Sequence, residues 1–439
     1  MGRRTAPRTL TRNSASQISR SLLAAGCAAT LALTACAPST EGGSAGDTTK
    51  LTVWSWRTED IAGYNKIFDV YEKKHPGVQV EFKAYKNTEY PTILQTGLAK
   101  SSGGPDVAQL KPFGPIQAFI EGGNLTALDG KVDLAGWPEE VVAAAKGKKD
   151  GKTYGVPFAI QTLHVLYNKK IFADNGIQVP TTWEDLKAAG DKLKKAGITP
   201  MATTAKEPWV MGLTHEIFGA TRMGGDKFAQ DVVAGKNDFT DPDYTASLQT
   251  VADLKPYFPE DVTAVPYLDA QALFSSGKAA MYPGGAYELG PFKKADPGLD
   301  IGFFDAPLPP GAKMDKPVTP GFADGSYGVN AKSPNQKEAL ELVKWMATPE
   351  FGQLFADELK QISAVPGVSP KDPLLAEMIA KYRSQGEPYS MAVHFGYGEP
   401  LGRDAEGEAI ASMLLGKMDA KAAGTKIQKD ISAWFKPEE

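Results

Sequence analysis

Cysteine is scarce: two in 439 residues, Cys27 and Cys36, both near the amino terminus. The body of the chain therefore has no thiol for disulfides, for a cysteine zinc site or for thiolate chemistry, and must stand on its apolar core. Histidine is sparse as well. His75, His164, His215 and His394 are scattered without metal-ligand spacing, so no metal and no cofactor are expected. No glycine-rich phosphate loop of the G-x-x-x-x-G-K-[ST] form occurs, which argues against nucleotide as an energy source. Basic charge is not in excess: 48 Lys and Arg face 52 Asp and Glu, a net of −4 that becomes −9 once an amino-terminal segment with five arginines and no acid is discounted. Nucleic acid as a partner would call for a basic stripe. The apolar run 22–33 is too short to span a bilayer, which takes roughly 20 residues.

That run does fit a secretory signal. Arg3, Arg4, Arg8, Arg12 and Arg20 form a basic head before it, and Leu33-Thr34-Ala35-Cys36 closes it. The closing tetrad resembles the bacterial lipobox, whose cysteine becomes the first mature residue and carries lipid. Pro38, Ser39, Thr40, Gly42, Gly43, Ser44 and Gly46 follow, with the composition of a flexible tether. Residues 1–35 are thus expected as signal peptide and 36–50 as a lipidated linker, with acyl chains on Cys36 holding the protein at the membrane. Thr5, Ala6 and Pro7 do not continue Arg3-Arg4 as a twin-arginine signal would, so ordinary secretion is expected. An anchored protein of alanine- and glycine-rich composition suits a Gram-positive bacterium.

Beyond the linker two periods alternate. Residues 51–54 and 78–82 place apolar side chains at every second position, whereas Ile61, Tyr64, Phe68 and Tyr71, then Tyr90, Ile93, Leu94 and Leu98, recur at helical spacing. Residues 105–110 read as a third strand. Strand, helix, strand, helix, strand predicts a parallel sheet covered by helices, with ligand at the carboxyl ends of the strands. Those ends carry Trp56 and Arg57, Tyr85 and Asn87, and Lys111. Further on, Thr182 with Asp185 forms a capping box before a helix that Gly197 stops. Ser333 predicts a second capped start, and Thr348-Pro349 a third.

These segments resemble, in order, the extracellular solute-binding proteins of the maltose-binding type: 51–56, 104–107, 122–129, Gly155-Val156-Pro157 through Tyr167-Asn168-Lys169, Pro180-Thr181-Thr182-Trp183, Phe274 with Gly277-Lys278-Ala279-Ala280-Met281, and Tyr327-Gly328-Val329-Asn330. The carbohydrate branch is most similar. The resemblance implies a two-lobed α/β fold of the periplasmic-binding-protein type, each lobe a mainly parallel sheet flanked by helices. Lobe 1 is expected at 51–157 and 301–332, lobe 2 at 158–300 and 333–439. It further implies a monomeric, non-enzymatic receptor that hands its solute to the membrane permease subunits of an ATP-driven importer.

A sugar offers an apolar C–H face and a rim of hydroxyls, so its site needs aromatic plates and planar polar groups. Trp56 and Trp209 are expected as plates, with Tyr287 and Tyr327 beside them. Arg57, Asn87, Lys111, Gln161, His164 and Ser326 are expected to bond hydroxyls, Glu216 less centrally. Gly284 and Gly285 next to Tyr287, and Gly325 next to Ser326, would let backbone approach ligand. Trp54, Trp183 and Trp345 are expected in the core. His164, between Leu163 and Val165, also fits a hydrogen-bonded structural histidine. Two rival readings share the leader and the aromatics. A secreted carbohydrate-active hydrolase would use a carboxyl pair, for which Glu288, Glu399 and Asp404 are available; Gly42-x-Ser44-x-Gly46 spells a nucleophile elbow but lies in the linker. A carrier of a metal chelate would draw on Tyr282, Tyr287 and Tyr327.

Overall fold

Strand β1 (Thr49–Ser55) forms where Leu51 and Val53 alternate with more exposed neighbours, and it lies parallel to both β2 (Val78–Ala84) and β3 (Val107–Leu110). It begins inside the segment expected as linker. The helices Ile61–Lys74 and Tyr90–Ala99 connect these strands and bury the stripes the sequence predicts, Tyr64, Phe68 and Tyr71 on one, Tyr90, Leu94 and Leu98 on the other. Strand β10 (Ser326–Val329) joins β3 antiparallel, and β4 (Val156–Pro157) joins β10. The computed structural model describes residues 48–100 and 102–437, which fall within one compact unit. The expected leader, Cys36 and nearly all of the expected linker lie outside the described residues.

A second sheet runs in the order β11 (Gly386–Pro388), β9 (Thr319–Ala323), β5 (Ile160–Asn168), β7 (Ala279–Gly285), β6 (Thr199–Met201), with β8 (Ile301–Phe304) also paired to β5. Both sheets are mixed, and the second is not mainly parallel: β5 is antiparallel to β7, β8 and β9. Its strands β8 and β9 flank successive halves of one edge of β5, so a loop suffices between them where a parallel pair would need a crossover.

The expected lobe boundaries need correction on two counts. Residues 301–323 complete the second sheet through β8 and β9, and only β10 returns to the first. The helices Gln336–Met346 and Pro349–Leu359 pack their Leu342, Val343, Phe351 and Phe355 into the first core, not the second. The first of these helices starts with Asn335 at its cap, and Ser333 instead donates to Asp106 Oδ1 at 2.5 Å. The cap pairs Thr182–Asp185 and Thr348 hold as read. Trp54, Trp183 and Trp345 are all buried.

The chain thus passes between the sheets three times, and the passages bond to one another. Phe158 N–H donates to Gly325 O at 3.1 Å, Asp324 N–H to Ala159 O at 3.0 Å, Ile160 N–H to Ile362 O at 3.0 Å and Ala364 N–H to Phe158 O at 2.9 Å. Among the described residues no helix is long and apolar enough to cross a membrane.

Candidate functional site

A cavity of about 470 Å³ opens between the carboxyl ends of the first sheet's strands and helices of the second lobe. Six residues expected from sequence line it: Trp56, Arg57, Asn87, Lys111, Trp209 and Tyr287.

Trp56 leaves β1 and is only 8% exposed, packed against Tyr90 and Phe158 at ring separations of 5.8 and 5.9 Å. Gly325, at φ +128°, brings the chain so near that a Cβ there would stand 3.0 Å from the Trp56 ring and 2.6 Å from Leu110 O. A side chain at this position would be strained and would displace the plate. Arg57, 5% exposed, is held by Asp60 through Nε at 2.5 Å. Burial opposes its charge, but Asp60 and Glu59 outweigh that, and its pKa stands well above the ordinary arginine value. Its Nη2 forms an ion pair with Glu59 Oε1 at 3.2 Å but makes no well-aligned hydrogen bond among the described residues.

Lys111 follows β3, donates to Asn87 Oδ1 at 2.5 Å and places its ammonium 5.7 Å from the Trp56 ring centre. Burial, then the Arg403 charge, bring its pKa down to about 8. Trp209 sits in the first turn of the helix Pro208–Met223, not in a loop, and meets Tyr267 edge-on at 5.0 Å. Tyr287 follows β7. Gly285 seats it, since a Cβ at Gly285 would strike the Tyr287 ring at 2.3 Å.

The other expected residues fall elsewhere. Tyr327 is fully buried and bonds Tyr64 at 2.6 Å, within a core chain that continues through Gln109 to Ser55. Strand β10 aims this ring into the first core. Ser326, 1% exposed, packs instead against Gly155, whose close approach leaves no space for a side chain. His164 is the structural histidine: Nδ1 is 2.8 Å from Asp305 and Nε2 3.0 Å from Thr162 Oγ1, on the far side of β5 from the cavity. Gln161 stands behind the wall and donates to Asp324 Oδ2 at 2.9 Å. Glu216 is fully buried, and burial with Glu406 nearby raises its carboxyl well above the usual range.

Several lining residues have no clear signal in sequence: Glu207, Tyr267, Asp269, Phe322, Asp324, Tyr389 and Arg403. Asp324 adjoins the singled-out Gly325, and Glu207 adjoins Trp209, so proximity to those motifs is the one available hint. Tyr389 OH and Arg403 Nε are buried without a hydrogen-bond partner among the described residues, and Arg57 Nη2 has only its ion pair with Glu59. Burial raises the Asp324 carboxyl, against the pull of Arg57. The cavity therefore combines six aromatic rings, from Trp56, Trp209, Tyr267, Tyr287, Phe322 and Tyr389, with unsatisfied donors and the carboxylates of Glu59, Glu207, Asp269 and Asp324. A buried polar group left unpaired costs about 1–3 kcal/mol, so such a surface favours a ligand bearing hydroxyls or other acceptors. Among the described residues no group of three or more His, Cys, Asp or Glu is arranged to hold a metal ion.

Two mixed α/β sheets joined by three passages, with a polar aromatic cleft between them, define a two-lobed solute receptor of the maltose-binding type. The sequence pattern of the bacterial extracellular solute-binding proteins matches residues 54–353, and the chain belongs to that family. It is 27% identical over 355 residues to the multiple sugar-binding protein of Streptococcus mutans, covering 78% of this chain and 82% of the relative. It is 25% identical over 374 residues to the maltotriose-binding protein of Pyrococcus abyssi, covering 80% and 71%. The solved GacH receptor of Streptomyces glaucescens, studied unliganded and with acarbose, superposes with a TM-score of 0.72 at 22% identity, over 89% of this chain and all of its own.

Proposed function

We propose that this chain is the substrate-binding lipoprotein of an ATP-driven importer, capturing a mono- or oligosaccharide in the cleft and presenting it to membrane permease subunits. The observation that carries the reading is the combination of aromatic plates from both lobes, Trp56 from the first and Trp209, Tyr267 and Tyr287 from the second, with the Arg57 guanidinium, buried donors on Tyr389 and Arg403 that lack a hydrogen-bond partner, and the Asp324 acceptor. Apolar rings suit the C–H faces of a pyranose, and fixed donors suit its hydroxyls. A hydroxyl with the wrong epimeric placement leaves one of these donors unpaired, which is the basis of selection. The names of the curated relatives, a multiple sugar-binding and a maltotriose-binding protein, support the same class of solute.

In this reading the receptor is monomeric and performs no chemistry on its ligand, and lipid on Cys36 keeps it at the outer face of the cell membrane. Thermal melting of the domain from Asp47 onward against sugars, polyols and metal chelates tests it. A ligand at a hundredfold its Kd stabilises by about 2.7 kcal/mol. Stabilisation by one or more sugars is expected; stabilisation by a metal chelate alone would replace this reading. Incubation with glycosides separates receptor from hydrolase, since the receptor returns them intact.

A further inference from the structure

Behind the second-lobe wall of the cleft lies a carboxylate that does not itself line it. Glu288 follows β7 and is fully buried. Three side chains donate to it: Tyr267 OH to Oε1 at 2.8 Å, Tyr282 OH to Oε1 at 3.0 Å, and Gln271 Nε2 to Oε2 at 2.6 Å. Tyr267 and Gln271 stand four residues apart, on one face of the helix Tyr267–Ser275. Of the three donors only Tyr267 lines the cavity, and its ring abuts Trp209.

We infer that Glu288 is a positioning residue for the ligand: its buried carboxylate fixes Tyr267, and through that ring Trp209, in the orientation that receives a solute. The inference rests on the cleft being the sugar site. A carboxylate is an expensive way to fill a core, and apolar side chains of similar volume would pack there at lower cost. What it adds is direction. Two oxygens accepting three donors pin both the rotamer of Tyr267 and the rotation of its helix.

The arrangement is sensitive to protonation. Burial raises the Glu288 carboxyl to about 7, against the hydrogen bonds from Tyr267, Gln271 and Tyr282 and the charge of Arg57. The hydroxyls of Tyr267, Tyr282 and Tyr287 are driven well above their ordinary value, by burial first and then by Glu288, and remain protonated donors. Glu207 adds to this at Tyr282. Between Glu288 and the three tyrosines, Glu288 is the one that changes charge near neutrality; across the cleft Lys111 titrates higher, at about 8, and a Lys111→Met background removes its contribution from the measurement. On protonation one of its oxygens becomes a donor, and one of the three incoming donors loses its acceptor.

The indole ¹⁵N–H resonance of Trp209, assigned with Trp209→Phe, reads the positioning without any ligand. In the wild-type protein it is expected to move between pH 6 and 8, with a midpoint at about 7; in Glu288→Gln it is expected to stay still. With a binding sugar, Glu288→Gln is expected to bind about fivefold more weakly at pH 8 and to match the wild type at pH 6, the effect of one lost hydrogen bond. A flat Trp209 resonance in the wild type, an unaltered titration in Glu288→Gln, or unaltered affinity in that variant overturns the inference. Should Glu288→Gln fail to fold, Tyr267→Phe keeps the ring and removes the donor: a diminished Trp209 response supports the inference and an undiminished one overturns it. If no sugar binds the wild type, the functional reading fails, while the ligand-free resonance still decides the role of Glu288.

Discussion

Trp56 belongs to the cleft wall and to the first core at once, and the two roles separate on mutation. Truncating so buried a tryptophan costs about 3–5 kcal/mol, so Trp56→Ala is expected to lower the melting temperature even without ligand. Trp209 is half-buried at the start of a helix. Trp209→Ala is expected to leave the unliganded melt within a degree or two of wild type and to remove most of the stabilisation by sugar, as paired melts would show. Lys111 gives a pH-dependent expectation. Its folded pKa of about 8 lies below the ordinary 10.5, so between those values the unfolded chain binds more protons and stability rises with pH. Lys111→Met is therefore expected to be more stable than wild type at pH 7, with the gain shrinking as pH climbs from 8 towards 10.5, measured by denaturant midpoints. In sequence, residues directly after a strand were legible as site residues because strand ends open on the cleft. Asp324 was missed although it directly follows β9, because β9 itself was not read as a strand, and Tyr389 and Arg403 lie far along the chain in segments that no motif marks. Tyr327 misled for the opposite reason: a motif places it in the right strand, but the pleat turns it towards Tyr64.

At the scale of elements, the first three strands and their helices follow directly from local periodicity, and so does the Thr182 capping box. The second sheet was harder, because β5 is paired along one edge by two short strands, β8 and β9, that follow it by more than a hundred residues. What stitches these strands is a buried polar cluster. Asp305 faces His164 on β5 and accepts from Thr319 Oγ1 on β9 at 2.9 Å and from Gln385 Nε2 at 2.6 Å. Burial lowers the His164 pKa below the ordinary 6.5, against the pull of Asp305. The folded state thus resists a proton that the unfolded chain takes up, so stability falls as pH drops from 6.5 towards the folded value. His164→Gln is expected to flatten that acid loss in melts run from pH 7 to pH 5; an unchanged slope would place the acid sensitivity elsewhere.

The whole molecule turns on three passages whose backbones bond one another, with the cleft on one side of them. A ligand draws the lobes together only by contacts it makes with both at once. The first sheet offers Trp56, Arg57 and Lys111, the second lobe Trp209, Tyr267 and Arg403. Sugar is therefore expected to reduce the radius of gyration in small-angle scattering, and Trp209→Ala to reduce that compaction at equal sugar concentration. An unchanged radius at saturation would show binding without closure. Lobe boundaries were only partly legible, because helices after β10 pack back onto the first core, and nothing local in 336–359 distinguishes one apolar partner from another.

The central claim is that the cleft binds a hydroxylated ligand and leaves it intact. Calorimetric titration of the domain from Asp47 onward with a panel of neutral mono- and oligosaccharides, followed by recovery of the sugar, tests it most directly. The account predicts saturable heat at one site for at least one sugar, a negative heat-capacity change from apolar faces buried on the aromatic rings, and unaltered sugar on recovery. No saturable heat with any sugar of the panel, or recovery of cleaved product, would contradict it.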